Sequence, residues 1–317
     1  MTTKLLCLAI AFLLASSSTV FAQTKTTLQL NWKPEPQFGG FYESQRGGHF
    51  AKANLDVTIQ PGGTGLPTVQ MLAAGTVDFA VVSADELIVA NSKGLELVAL
   101  FAVYQTNPQG IMTHSARGFS SIEDVFKSPG ILAMQRGLPY ANFLKNKFGF
   151  GSLTIVPSPG GDLSVLRSND QYSMQCFVTS EPIAAAKAGI EVKTFLIAEA
   201  GYNPYTTVVA TRRDLFDSKP ELVSSMTSAV REGWKAYLSD ATPTNLMMQK
   251  LNPGMDAQTF EKSAEAQKPL IVTSETKAKG LGVMTTTRWQ ELSNQLKDLG
   301  VIDALPDVNK LFVQSNQ

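Results

Sequence analysis

Residues 77–104 read VDFAVVSADELIVANSKGLELVALFAVY. Val77–Ser83 is a near-continuous apolar run of strand length, and Leu95–Tyr104 is a second. Between them, Ala84–Lys93 reads as a helix, and Ser83 is a natural N-cap for it. Apolar strands separated by helices predict a mostly parallel sheet covered on both faces.

The same alternation extends outward in both directions. Strands are expected at 26–32, 55–60, 128–135, 152–158, 172–180, 191–198 and 205–211. Helices are expected at Tyr42–Ala53, Pro67–Ala74, Tyr140–Phe148 and Glu181–Ala188. The pattern changes after Thr211. DSKPELVSSMTSAVREGWKAYLSD, residues 217–240, predicts a long amphipathic helix with a buried stripe of Val223, Met226, Val230, Trp234 and Leu238. Asp217 or Ser218 is expected to cap it, with Pro220-Glu221 in its first turn. A helical tail follows, at about 243–251, 256–267, 286–299 and 306–313.

The 317 residues are 44% hydrophobic, enough for one or two domains with real cores. Lys+Arg 27 balances Asp+Glu 27, which argues against nucleic acid or an anionic membrane as the main partner. MTTKLLCLAIAFLLASSSTVFA, residues 1–22, has a basic Lys4, an apolar run from Leu5 to Ala15 and a Val20-Phe21-Ala22 ending. It reads as a secretory signal peptide cleaved before Gln23, with an apolar run too short to span a bilayer comfortably. Cys176 is then the sole cysteine of the mature chain, so no intramolecular disulfide forms, and its strand-like surroundings suit a small buried hydrophobe.

In open α/β sheets ligands sit beyond the carboxyl ends of the strands. The loops there are rich in glycine, aromatics and small polar groups: Asn31-Trp32 to Gln37-Phe38-Gly39-Gly40, PGGTGLPT, YQTNPQG, RGLPY, SPGGDL, TSEP and AGYNPY. That is the inventory of a small-molecule pocket.

LNWKPEPQFGGFYESQRGGHFAKANLDVTIQPGG, residues 30–63, resembles the opening of periplasmic substrate-binding proteins of ABC importers, in the group that binds thiamine-pyrimidine precursors, alkylsulfonates and nitrate. Leu30, Trp32, Pro34, Gly40 and Tyr42 fall in register with that family's pattern, and the 72–112 block and Gly137-Leu138-Pro139 also match. The resemblance implies a type II periplasmic binding protein: an α/β chain of two lobes with a ligand cleft between them and a helical C-terminal tail. Residues 25–112 and 206–317 would form lobe one, and 113–205 lobe two. It further implies an inner-membrane ABC permease as partner, no cofactor, a monomeric protein and binding without catalysis. Asn31 replaces the family's acidic residue, and Phe38 stands where related pyrimidine synthases carry a reactive histidine; their cysteine-rich segment is absent. His49 and His114 are not at metal-ligand spacing.

Trp32 is the expected stacking surface for a planar ligand, with Phe38 and Tyr42 completing an aromatic wall and Gln37 hydrogen-bonding an edge. Ser83 marks a helix start whose free N–H groups face the cleft, and Asp85 or Glu86 pairs with a ligand amine. Tyr104 and Gln105 end a strand at the same edge, and Arg136 offers an anion contact. Gly160 and Gly161 supply backbone N–H groups, Glu181 stands at a second strand-to-helix corner, and Tyr202 and Tyr205 close over the ligand or pack the crossing between lobes. The expected ligand is a thiamine-pyrimidine precursor or another planar heteroaromatic such as a flavin; the alternatives are a sulfonate or nitrate binder, a pyrimidine-synthase-type enzyme and a sensory or structural periplasmic domain on the same fold.

Overall fold

The computed structural model describes residues 22–135 and 137–313; the expected signal peptide up to Phe21, and Arg136, lie outside the described residues. The strands are β1 (Thr24–Gln29), β2 (Leu55–Gln60), β3 (Phe79–Val82), β4 (Leu97–Tyr104), β5 (Gln109–His114), β6 (Gly130–Met134), β7 (Leu153–Pro157), β8 (Tyr172–Phe177), β9 (Val192–Leu196) and β10 (Thr206–Arg212). They build two five-stranded sheets, ordered β2-β1-β3-β10-β4 and β7-β6-β8-β5-β9, one in each lobe.

Both sheets are mixed where mostly parallel ones were expected. β10 runs antiparallel between β3 and β4, and β5 runs antiparallel to β8 and β9. The reason is topological. The chain leaves lobe one at the carboxyl end of β4 and enters lobe two at the edge where its parallel strands end, so β5 must run against them. β10 returns under the same constraint. The segment 105–108, between β4 and β5, joins the two sheets, and the segment between β9 and β10 joins them again. β5 went unanticipated because Pro108 and Gly110 make its start read as a loop.

The two crossings are tied together. The Asn107 backbone N–H donates to Asn203 Oδ1 at 2.8 Å, and Arg288 donates through Nε and Nη2 to the Asn203 carbonyl at 3.0 and 2.8 Å. The same guanidinium lies 3.9 Å from the centre of the Tyr205 ring.

Several helices differ from expectation. Tyr42–Ala53 is two helices, Gly39–Arg46 and His49–Lys52, broken at Gly47-Gly48, where Gly48 takes a left-handed φ of 71°. Asp217 and Ser218 end a preceding helix, Arg213–Ser218, and the long helix Pro220–Ser239 starts at Pro220 after Lys219. Tyr237 joins its buried stripe, while Leu238 is only half-buried. Ile122–Lys127 is an additional helix closed by a capping box between Ser121 and Asp124. The expected 306–313 helix reduces to one 3-10 turn, Val308–Lys310.

Gly39-Gly40 has a packing role. A Cβ on Gly40 would fall within the Trp234 ring, and one on Gly39 within the Tyr237 ring. The absence of side chains lets the Gly39–Arg46 helix lie directly on the long helix, with the Ser44 hydroxyl between the carbonyls of Gly40 (2.8 Å) and Ala229 (3.0 Å).

Candidate ligand-binding cleft

A cleft of about 460 Å³ lies between the lobes. Its lobe-one wall is the loop after β1, with Asn31, Trp32, Lys33, Glu35 and Gln37, together with Asn252 and Met255. Its lobe-two wall is built from Gln135 after β6, Ser158, Gly160 and Gly161 after β7, Gln175 and Phe177 on β8, and Ser180 and Glu181 at the following helix start.

The loop after β1 is held from behind. The Pro34 carbonyl accepts from Asn252 Nδ2 at 3.1 Å, and the Pro36 carbonyl accepts from Gln267 Nε2 at 3.0 Å. The Tyr104 hydroxyl donates to the same Gln267 at 2.7 Å. Pro36 opens a 3-10 turn, Pro36–Phe38. The Gly62 N–H donates to the Trp32 carbonyl at 2.9 Å, and no Cβ fits at Gly62 because the Leu30–Trp32 backbone fills that space. Two prolines and a pinned backbone thus fix the loop before any ligand arrives.

Carboxylates from both lobes meet the cleft. Burial, reinforced by the charge of Glu181 on the other lobe, raises the Glu35 carboxyl from 4.5 to about 7, although the Trp32 indole N–H (3.2 Å to Oε1) and Lys33 pull the other way. Burial also raises Glu181, against the Phe177 N–H that donates to its Oε2 at 2.8 Å. A carboxyl that binds its proton more tightly when folded costs stability above its unfolded pKa. The empty protein should therefore gain stability from Glu35 as pH falls from about 7 to 4.5, and Glu35→Gln should remove that gain. Melting temperatures of both proteins at the two ends of this window test it; parallel pH profiles would refute it.

Of the expected contacts, Trp32, Gln37, Gly160, Gly161 and Glu181 line the cleft. Others take structural positions instead. Phe38 and Tyr42 are buried in the lobe-one core, because the 3-10 turn and helix that follow the prolines rotate them beneath the loop. Tyr104 is fully buried and committed to Gln267. Gln105 is buried, its amide donating to the carbonyls of Ala102 (3.3 Å) and Val283 (3.1 Å). Tyr202 donates to Asp85 Oδ2 at 2.8 Å and packs on Phe143, and the Tyr205 hydroxyl accepts from the Thr285 N–H at 3.1 Å. Ser83 and Glu86 close a capping box, and Asp85 is held by Tyr202 and Ser83, so these groups spend their polar capacity on helix start and hinge. Glu86 keeps solvent contact, yet surrounding protein and neighbouring Asp85 raise its carboxyl. The anion contact expected of Arg136 lies outside the described residues.

Glu35, Gln135, Gln175 and Ser180 were not anticipated. Glu35 had one sequence signal, a charge held between Pro34 and Pro36 at a strand end. Gln175 had none, since its facing depends on which side of β8 the lobe-two core occupies.

With this geometry in view, the chain can be set beside known proteins. A riboflavin-binding protein, RibY, of Chloroflexus aurantiacus is 22% identical over 91% of this chain and 84% of its own. A formylaminopyrimidine-binding protein of Halalkalibacterium halodurans is 27% identical over 60% of this chain and 55% of its own. A pyrimidine phosphate synthase of Legionella pneumophila matches only 32% of this chain and 33% of its own, at 22% identity. Among solved structures, the periplasmic aliphatic sulphonate-binding protein SsuA of Escherichia coli superposes with a TM-score of 0.69 at 13% identity, covering 92% of this chain and 93% of that one. The NMT1/THI5-like pattern matches residues 35–242, and the chain belongs to that family.

Proposed function

We propose that this protein is the solute-binding component of an ABC importer, exported to the periplasm by a cleaved signal peptide. Its ligand would be a small planar heteroaromatic such as a thiamine-pyrimidine precursor. The observation that carries this is the cleft wall itself: Trp32 on a loop fixed by two prolines, with Glu35 and Glu181 brought from opposite lobes. An indole face stacks on a planar ring, and carboxylates accept from amino groups on its edges. In their ionised form the same carboxylates repel the charge of sulfonate or nitrate.

Binding acts through closure. Two linked crossings join the lobes, and a ligand touching both walls favours the closed state over the open one. The Lys187–Asp256 ion pair, 2.6 Å, already joins the lobes beside the cleft. The closed form would dock on an inner-membrane permease and release its cargo there, with no chemical step. No helix among the described residues is long and apolar enough to cross a membrane.

Riboflavin is the second reading, favoured by the similarity to RibY along nearly the whole chain. Mass spectrometry of the protein purified without refolding, followed by a thermal-shift panel, separates the two. A melting shift with a pyrimidine precursor supports the first reading, and a shift with riboflavin the second. A response only to alkylsulfonates or nitrate would overturn both, and turnover of a pyrimidine product with iron and pyridoxal phosphate would overturn the non-catalytic role.

A further inference from the structure

Gln175 lies on β8, the central strand of the lobe-two sheet, and lines the cleft. Strand alternation places it opposite Met174 and Cys176, which belong to the apolar cluster behind the sheet. Its Oε1 accepts the Gln135 backbone N–H at 2.6 Å and the Tyr140 hydroxyl. A backbone N–H can only donate, so the carboxamide cannot be flipped. The oxygen is clamped at the corner after β6, and the –NH2 end is left over. Among the described residues it meets no acceptor.

Resting on the proposed planar ligand, the geometry points to Gln175 as a specificity-determining residue: a fixed donor that selects a heterocycle with a hydrogen-bond acceptor in its ring plane. The walls then divide the work. When ionised, Glu35 and Glu181 take donors from the ligand's edges, and Gln175 supplies a donor whose position is fixed. A ligand offering C–H at that place leaves the amide unpaired in a cleft from which water is excluded on closure, a loss of about tenfold or more in affinity.

The test is a cycle of protein and ligand changes, read by calorimetry. The probes are 4-amino-5-hydroxymethyl-2-methylpyrimidine and its two pyridine analogues, each with one ring nitrogen replaced by C–H. Riboflavin and its deaza analogues form the parallel set. Gln175→Glu keeps an oxygen for the clamp and, once ionised, removes the donor, so the cycle is run at alkaline pH, above the range in which Glu35 takes up its proton. One analogue should bind the wild-type protein about tenfold or more weakly than its parent, and that discrimination should vanish in Gln175→Glu. A purely structural role for Gln175 would leave the discrimination intact in the variant, which overturns the assignment. Equal binding of parent and analogues to the wild-type protein overturns it without any variant, so a poorly folded Gln175→Glu does not block the test. Failure of the wild-type protein to bind either parent heterocycle brings down the ligand reading, and this assignment with it.

Discussion

Trp234→Ala should lower the unfolding free energy by about 3–5 kcal/mol, the range for deleting a buried large aromatic. Trp234 is fully buried and packs edge-on against Phe41 and Tyr237, each 5.8 Å away between ring centres. Gly40→Ala should also destabilise, by about 1–3 kcal/mol, because its methyl would overlap the Trp234 ring and the two flanking aromatics leave that ring nowhere to move. The two costs should not add. In the double variant the alanine at 40 meets the space that the indole has vacated, so its penalty should largely disappear. Equilibrium denaturation of the two single variants and the double one decides this; additive losses would show that the contact is not what constrains Gly40.

Trp32→Ala should weaken ligand binding at least about tenfold, or about 1.4 kcal/mol, by removing the stacking face. The fold should be spared. Trp32 is only partly buried, and the loop that carries it is held through the backbone carbonyls of Pro34 and Pro36. Trp32→Phe should recover part of the affinity, since a ring remains; it loses the indole N–H that now bonds Glu35. Calorimetry showing unchanged affinity in Trp32→Ala would remove this residue from the site, and a lowered melting temperature of the empty variant would reassign it to the core.

The strands were the most legible part of the fold. Runs such as Phe79–Val82 and Leu97–Tyr104 are apolar on both faces because helices cover both sides of the sheet. β5 was hidden because Pro108 and Gly110 are turn residues, and only the pairing with β8 and β9 makes a strand of that segment. The candidate site was half legible. Trp32, Gln37, Gly160, Gly161 and Glu181 follow from standing just beyond strand ends. The tyrosines at similar places, Tyr104, Tyr202 and Tyr205, were claimed by hydrogen bonds to Gln267, Asp85 and Thr285, partners remote in sequence. Gln175 escaped for the converse reason: a mid-strand glutamine announces nothing until the corner that clamps its oxygen is in place.

The position of β10 governs the order in which the molecule can assemble. Lobe two is one uninterrupted stretch of chain, so its sheet can form from near neighbours without waiting for the rest of the chain. Lobe one cannot do the same. β3 and β4 do not pair with each other; both pair with β10, which is made only after the whole of lobe two. Until it arrives, each keeps a row of unpaired backbone groups beside apolar side chains. Lobe two can therefore be complete while lobe one is not, and in that interval β3 and β4 are exposed to mispairing.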